Sequence, residues 1–344
     1  MPVAGQAAFS REKVTGDGEP AKRNQPQFQA MKKNDRYIIL ILALGIILFP
    51  WLGGGNEYFL SLLVFMGING LITMGLSLLM GYAGQISLGH AAFFGLGAYS
   101  SGVLTTKYSM PPLGALGVGI LLSALIAFLV GKPTLRLKGH YMAVATLGFG
   151  EIMFIVFNEL SSLTGGPSGL SGIPSLVLGG IVIEGCAYLY FVWALVILLL
   201  IFSLNMINSR VGRALRAVHG SELAAGAMGV DASKYKLGVF VLSGVYASIA
   251  GSLYAHFVTF ISPSSFSLMF SILLLMMVVV GGTETIWGAL MGAGLLTLLP
   301  EYLRALEDFE VLAYGAILMA VLLFMPRGVL VGIRRLFESK GKVK

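Results

Sequence analysis

Residues Tyr58–Met80 read YFLSLLVFMGINGLITMGLSLLM, 23 residues without one charged side chain. A helix needs about 20 such residues to cross the hydrocarbon core of a bilayer. The runs Tyr37–Trp51 and Tyr188–Met206 are apolar and uncharged in the same way. Of the 344 residues, 56% are hydrophobic and only 11% are Asp, Glu, Lys or Arg, where a soluble domain carries roughly 25% charged residues. Such a chain cannot cover a globular surface with charge, and the composition predicts an all-α, polytopic membrane protein.

Working outward from that run, spans are predicted near 37–53, 58–80, 88–106, 112–131, 140–160, 187–207, 237–261, 267–282, 286–300 and 310–326, about ten, with eight the alternative. This divides the chain into a polar, mobile cytoplasmic tail (1–36), a transmembrane domain (37–326) with a cytoplasmic hairpin at 207–236, and a basic cytoplasmic tail (327–344). The first tail has no apolar core, so it does not read as a cleavable signal. Basic residues test the count. The tail to Arg36 holds seven, the 132–138 segment three, the hairpin five and the last segment six, so 21 of 23 fall on one side of a ten-span topology. The other side receives Lys107 and Arg304, with Glu57, Glu159, Glu184, Glu301, Glu307, Asp308 and Glu310. Basic residues concentrate on the cytoplasmic side of a membrane protein, which places both termini in the cytoplasm.

Several classes are excluded or disfavoured. With Cys186 as the only cysteine, no disulfide framework is possible. Nucleic acid is a poor partner for the +7 charge, because that charge clusters at membrane ends. Gly131-Lys132 is followed by Pro133 and lacks the glycine spacing of a phosphate-binding loop. His90, His140, His219 and His256 are scattered, with no metal-ligand spacing. The 46 glycines suit close helix packing in lipid.

The hairpin is the most informative polar segment. Ser221 is a candidate N-cap, and Glu222 lies in the first turn, where the helix dipole favours an anion. Gly229 reads as the residue that ends a helix of about two turns, and Asp231 as the cap of the next. A helix that short is unstable alone and needs a surface to pack on. Leu223, Ala224, Ala227 and Met228 share one side of it. They could rest on the chain's own membrane domain, or insert into a groove of a cytoplasmic partner.

The pattern Glu222-x-Ala224-Ala225-x-x-x-Gly229 resembles the EAA loop of ABC importer permeases. Gly81-Tyr82-Ala83-Gly84-Gln85-Ile86-Ser87-Leu88-Gly89-His90-Ala91-Ala92-Phe93-Phe94-Gly95 resembles a signature of branched-chain amino-acid permeases. So do Arg136–Tyr141, Ala145–Glu151, Thr164–Leu170 and Val279–Gly288. In order, and over roughly residues 37–330, these make the chain similar to LivM-type permease subunits of high-affinity branched-chain amino-acid ABC transporters. Gly226 stands where that loop usually carries a larger residue. The resemblance implies an inner-membrane permease, no enzyme and without a cofactor of its own. Its implied partners are a homologous LivH-like permease, two ATP-binding subunits that spend the ATP, and a periplasmic solute-binding protein. It also implies a coupling role for Arg213, Arg216, Ser221, Glu222, Ala224, Ala225, Met228 and Gly229. Similar permeases take up urea, short-chain amides and aromatic acids, so those substrates stay open.

Gln85, Ser87 and His90, among five glycines between Gly81 and Gly97, are candidates for a translocation path, because non-helical backbone at membrane depth must be buried in protein or line a cavity. Hydrogen bonding to neighbouring helices is the other reading. Glu151 falls mid-span, where a charge costs about 3 kcal/mol on insertion scales. It is expected to face the bundle interior, paired with His90 or His140 or protonated, and contact with a substrate ammonium is a further reading. Asn69, Asn158 and His256 are read as contacts between helices, Glu284 as solvated or engaged with the hairpin, and Gly288-x-x-x-Gly292 as a packing motif. The acids around Arg304 could form a docking rim for a binding protein. An ion-coupled carrier using Glu151 and a histidine is the competing class. It would leave the EAA-like loop without a role, and no inverted repeat supports it.

Overall fold

The computed structural model describes residues 34–52, 56–135, 140–283 and 285–303, with isolated positions at 312, 315, 316, 319, 323 and 328. The described residues are helical almost throughout. The helices are α1 (Asn34–Leu52), α2 (Glu57–Ser77), α3 (His90–Lys107), α4 (Pro112–Thr134), α5 (His140–Glu159), α6 (Ser161–Thr164), α7 (Gly185–Asn208), α8 (Arg210–Gly220), α9 (Glu222–Ala227), α10 (Ala232–Val258), α11 (Leu268–Gly281) and α12 (Ile286–Leu303). Four two-residue strands, β1 (Leu170–Ser171), β2 (Val177–Leu178), β3 (Ile181–Val182) and β4 (Phe260–Ile261), tie down the loops, with β1 antiparallel to β4 and β2 to β3.

Nine of the ten expected spans coincide with a helix; the tenth, 310–326, is described only at isolated positions, and Arg136, Lys138, Glu284, Arg304, Glu307, Asp308, Glu310 and both chain ends lie outside the described residues. Among the described residues, six helices are long and apolar enough to cross a membrane: α2 with its π-helical extension to Tyr82, α4, α5, α7, α10 and α12. α11 is apolar but only 14 residues long. α3 is less apolar because its surroundings are protein: from His90 to Tyr99 every residue is buried. α1 begins at Asn34, inside the segment expected to be tail, and its Asp35 carboxylate accepts a hydrogen bond from Trp287 Nε1 at 3.1 Å.

α2 and α10 form the centre, with 72% and 61% of their spans buried, against 22% for α4 and α5. Without a hydrophobic drive between helices in lipid, close packing requires small residues. Where α3 crosses α10, a Cβ on Gly97 would stand 2.0 Å from the Ser248 carbonyl oxygen, and one on Gly251 1.9 Å from that of Phe94. The Gly288-x-x-x-Gly292 motif works the same way, since a Cβ on Gly292 would stand 1.9 Å from the Met277 carbonyl oxygen of α11. Aromatic rings fill the rest. Phe93 meets Phe149 of α5 at 5.0 Å between centroids, and Tyr99 meets Phe157 at 4.7 Å.

Several buried polar groups are bonded across helices, which offsets the cost of taking them out of water. Asn69 Nδ2 donates to Thr297 Oγ1 at 3.0 Å, joining α2 to α12. His256 Nδ1 donates to the Pro174 carbonyl at 2.7 Å, which leaves Nε2 to accept from Ser101 Oγ at 2.9 Å, while Ser252 donates to Ser101 at 2.8 Å. Asn158 corrects the expectation made for it: its Nδ2 donates to Phe154 O of the same helix at 2.9 Å and bonds to no second helix among the described residues.

Candidate functional site

The hairpin between α7 and α10 holds two helices where one was expected. Ser209 Oγ caps α8 by accepting from Val211 N at 3.1 Å. Leu215 and Val218 are buried, with Val211 one turn before Leu215 on the same side, the i, i+4, i+7 spacing of an amphipathic helix. The same spacing is present in the sequence, within the hairpin expected over 207–236. Ser221 then caps α9, its Oγ accepting from Ala224 N at 3.3 Å. α9 closes at Met228, and Gly229 follows at φ +81°, the left-handed position after a helix end that glycine adopts at low cost. Asp231 caps α10 through Lys234 N at 3.2 Å. That backbone N–H, then the Lys234 side chain, hold the Asp231 carboxyl below its ordinary range.

The burial of α9 is one-sided. Ala225 is buried, whereas Leu223 and Met228 are 86% and 85% exposed. Of the two uses considered for the apolar side of this helix, resting on its own membrane domain is therefore excluded for these two residues. Ala224, Gly226 and Ala227 are exposed beside them. Arg213 is exposed and Arg216 half-buried, and neither has a hydrogen bond or ion pair among the described residues.

Two contacts fasten the hairpin to the bundle. Glu222 pairs with Lys236 Nζ, whose side chain is only 3% exposed. Lys236, one of the five basic residues of the 207–236 hairpin, is thus an internal charge. The second contact reaches the break between α2 and α3. α2 widens into a π-helical turn over Leu78–Tyr82, unwinds through residues 83–89 and resumes as α3 at His90. His219 Nδ1, at the end of α8, donates to the Gly81 carbonyl at 3.0 Å. Gly84 has φ +66°, and a Cβ there would come within 2.9 Å of the His219 ring. Gly81 also lies under the Thr283 carbonyl oxygen, 1.9 Å from where its Cβ would be. The hairpin, the broken helix and the α11–α12 turn therefore meet at one node. π-turns of this kind mark departures from regular packing and recur at functional sites.

The polar residues of the break are satisfied internally. Gln85 is buried, its Nε2 donating to the Ala83 and Gly84 carbonyls at 3.3 Å each. His90 is buried between Ser87 Oγ, 3.1 Å from Nδ1, and Ser243 Oγ of α10 on Nε2. Leu88 N donates to Thr146 Oγ1 of α5 at 3.0 Å, which anchors the unwound strand beside the membrane helix.

Glu151 is not where it was expected. Both His90 nitrogens are taken by serines, and His140 is exposed at the start of α5. The buried side of α5 is Met142, Thr146, Phe149 and Phe157. Helical geometry puts Glu151 away from that side, because it follows Val144 by seven residues and precedes Ile155 by four, and both of these are exposed. It faces out of the bundle, half-buried, with no hydrogen bond or ion pair among the described residues.

Among the described residues no group of three His, Cys, Asp or Glu side chains could hold a metal ion. A cavity of about 230 Å³ at the opposite end from the hairpin is lined by Ser175, Glu184, Tyr188 and His256, but its histidine is fully engaged by Pro174 and Ser101.

Residues 58–326 match the family described as branched-chain amino acid transport system, permease component. The LivM permease of the high-affinity branched-chain amino acid transport system of Escherichia coli is 29% identical over 87% of this chain and 75% of its own length. Its counterpart in Salmonella typhimurium is 32% identical over 76% of this chain and 67% of its own length. The LivH permease of Salmonella typhimurium is 26% identical over 76% of this chain and 90% of its own. No solved structure matches the chain. A multi-pass bundle of helices with a capped, outward-facing hairpin is thus also matched over most of its length, and the chain belongs to the permease components of branched-chain amino acid transport systems.

Proposed function

We propose that this chain is one of two homologous permease subunits of an ATP-driven importer for leucine, isoleucine, valine or a closely related solute. The relatives named for branched-chain amino acid transport support the substrate class. The observation that carries the coupling is α9, a six-residue helix capped at both ends that presents Leu223 and Met228 to the outside. Two large apolar side chains held rigidly on a polar hairpin are the anchors of a helix-in-groove contact. The groove belongs to an ATP-binding subunit, and Arg213 and Arg216 flank the contact.

In this reading the membrane is the cytoplasmic membrane, the hairpin and both termini are cytoplasmic, and a solute-binding protein delivers substrate to the opposite face. The permease makes no covalent bond to its solute and holds no cofactor. ATP binding and hydrolysis in the partner subunits move α8 and α9. The Glu222–Lys236 pair passes that motion to α10, and the His219–Gly81 hydrogen bond passes it to the unwound segment between α2 and α3. Backbone that has left the helix can change conformation without breaking a ladder of i to i−4 bonds, so the break is where a gate can move at low cost.

The test is purification of the chain from its native membrane in mild detergent, with the co-purifying subunits identified and counted. Two ATP-binding chains and a second permease are expected. A lone chain or homo-oligomer that transports under a proton gradient without ATP overturns the reading.

A further inference from the structure

The outward position of Glu151 needs an explanation that the coupling hairpin does not give. It is the twelfth of the 20 residues of α5, close to the middle of the span. An ionised carboxylate at that depth is strongly disfavoured against hydrocarbon, which offers no donor, and side chains of this kind are found facing protein or a water-filled path. Within the chain the side chain has no partner among the described residues. The wall beside it is open. A Cβ on Gly148, one turn earlier on the same side, would meet nothing within 4 Å. The surrounding side chains are branched and apolar, Val144, Ile152 and Ile155, exposed by 66%, 61% and 56%.

The permease reading above supplies a candidate cover for this face, a second permease subunit. One organism, Salmonella typhimurium, carries two differently named permeases, LivM and LivH, that each resemble this chain. A face that combines one carboxylate, a glycine gap and branched apolar side chains suits a solute with an ammonium group and a branched apolar side chain. We propose that Glu151 is a specificity-determining residue: its carboxylate receives the α-ammonium group of the amino acid as the solute passes between the two permeases, with Val144, Ile152 and Ile155 contacting the solute side chain. The inference rests on the permease reading above. It moves the path from Gln85, Ser87 and His90, which are committed to bonds inside the bundle, to the outer face of α5.

The test uses the whole complex, reconstituted in lipid vesicles with saturating solute-binding protein, so that the rate reports passage and not capture. Leucine uptake and ATP hydrolysis are measured for the wild type, Glu151→Gln and Glu151→Asp. Losing a charge-assisted hydrogen bond lowers uptake by about tenfold or more in Glu151→Gln. Assembly with the second permease and ATP hydrolysis stimulated by the binding protein are retained, and Glu151→Asp recovers most of the uptake. Uptake by Glu151→Gln at the wild-type rate overturns the inference and leaves a protonated, lipid-facing carboxyl group. Failure of Glu151→Gln to assemble, with Glu151→Asp assembling, overturns it in favour of an ion pair between subunits. A wild-type complex that imports nothing with ATP fails earlier, at the permease reading itself.

Discussion

His219 Nδ1 lies 3.0 Å from the carbonyl oxygen of Gly81, so the last turn of the hairpin helix α8 is hydrogen-bonded to the π-turn where α2 unwinds. The carbonyl can only accept, which requires Nδ1 to carry the proton. His219→Ala removes the donor, and His219→Asn can restore it, because its amide Nδ2 takes the place of Nδ1. A neutral hydrogen bond contributes about 1 kcal/mol, enough to change a conformational equilibrium about fivefold. His219→Ala is expected to lower the amount of amino acid imported per ATP hydrolysed by a few-fold, with His219→Asn near wild type. Equal import per ATP in all three proteins removes this bond from the coupling route.

Leu223 and Met228 separate docking from folding. Both are more than four-fifths exposed, so Leu223→Asp and Met228→Asp should leave the chain's own stability within about 0.5 kcal/mol. An apolar anchor seated in a partner groove contributes about 2 kcal/mol or more, so either variant should weaken retention of the ATP-binding subunits by about thirtyfold. Pull-down at graded detergent dilution reads this directly. Full retention by both variants would show that α9 is not the docking element.

The Glu222–Lys236 pair makes a different prediction from the same helix. The Lys236 side chain is 3% exposed and that of Glu222 41%, so Glu222→Gln leaves a nearly buried ammonium without a counter-charge. That should destabilise the hairpin by about 1–3 kcal/mol. The double variant Glu222→Gln, Lys236→Met should recover most of the loss, because replacing both members of a buried pair is far milder than removing one. Hydrogen exchange of the α9 amides measures it. A double variant as labile as the single one would mean that the pair does not hold the hairpin.

How much of this was legible in the sequence depended on the range of the interaction. Helix ends set by local chemistry were readable: Ser221, Gly229 and Asp231 do what their side chains and backbone freedom dictate. The helices were readable from apolar runs, and α3 was found although its buried surroundings let it keep polar residues. α8 was missed because its three basic residues, Arg210, Arg213 and Arg216, needed for topology, masked the Leu215 and Val218 spacing. The partner of Lys236 and the contact of His219 with Gly81 bring together residues 14 and 138 positions apart, and no local pattern encodes either. Glu151 was misplaced because a mid-span carboxylate was assumed to turn inward. That rule describes the assembled complex, and a single chain can satisfy it by facing its partner.

The glycines supply the last prediction, because the same substitution should have opposite signs at different sites. On Gly97 and Gly251 a methyl group would overlap backbone atoms of the facing helix, at 2.0 and 1.9 Å. Backbone cannot rotate away as a side chain can, so the α3–α10 crossing must open, at about 1–3 kcal/mol or more for each alanine. Gly226 in α9 is the reverse case: a Cβ there meets nothing within 4 Å, and its φ is not in the left-handed region. Alanine restricts the unfolded chain and favours the helix, so Gly226→Ala should stabilise the hairpin by about 0.5–1 kcal/mol. Thermal unfolding in detergent for the first two, and hydrogen exchange of α9 for the third, give the three signs. If Gly226→Ala folds better yet couples ATP hydrolysis to import less well, then the flexibility of α9 serves docking, and the small residue at the position where related loops usually carry a larger one has a functional reason.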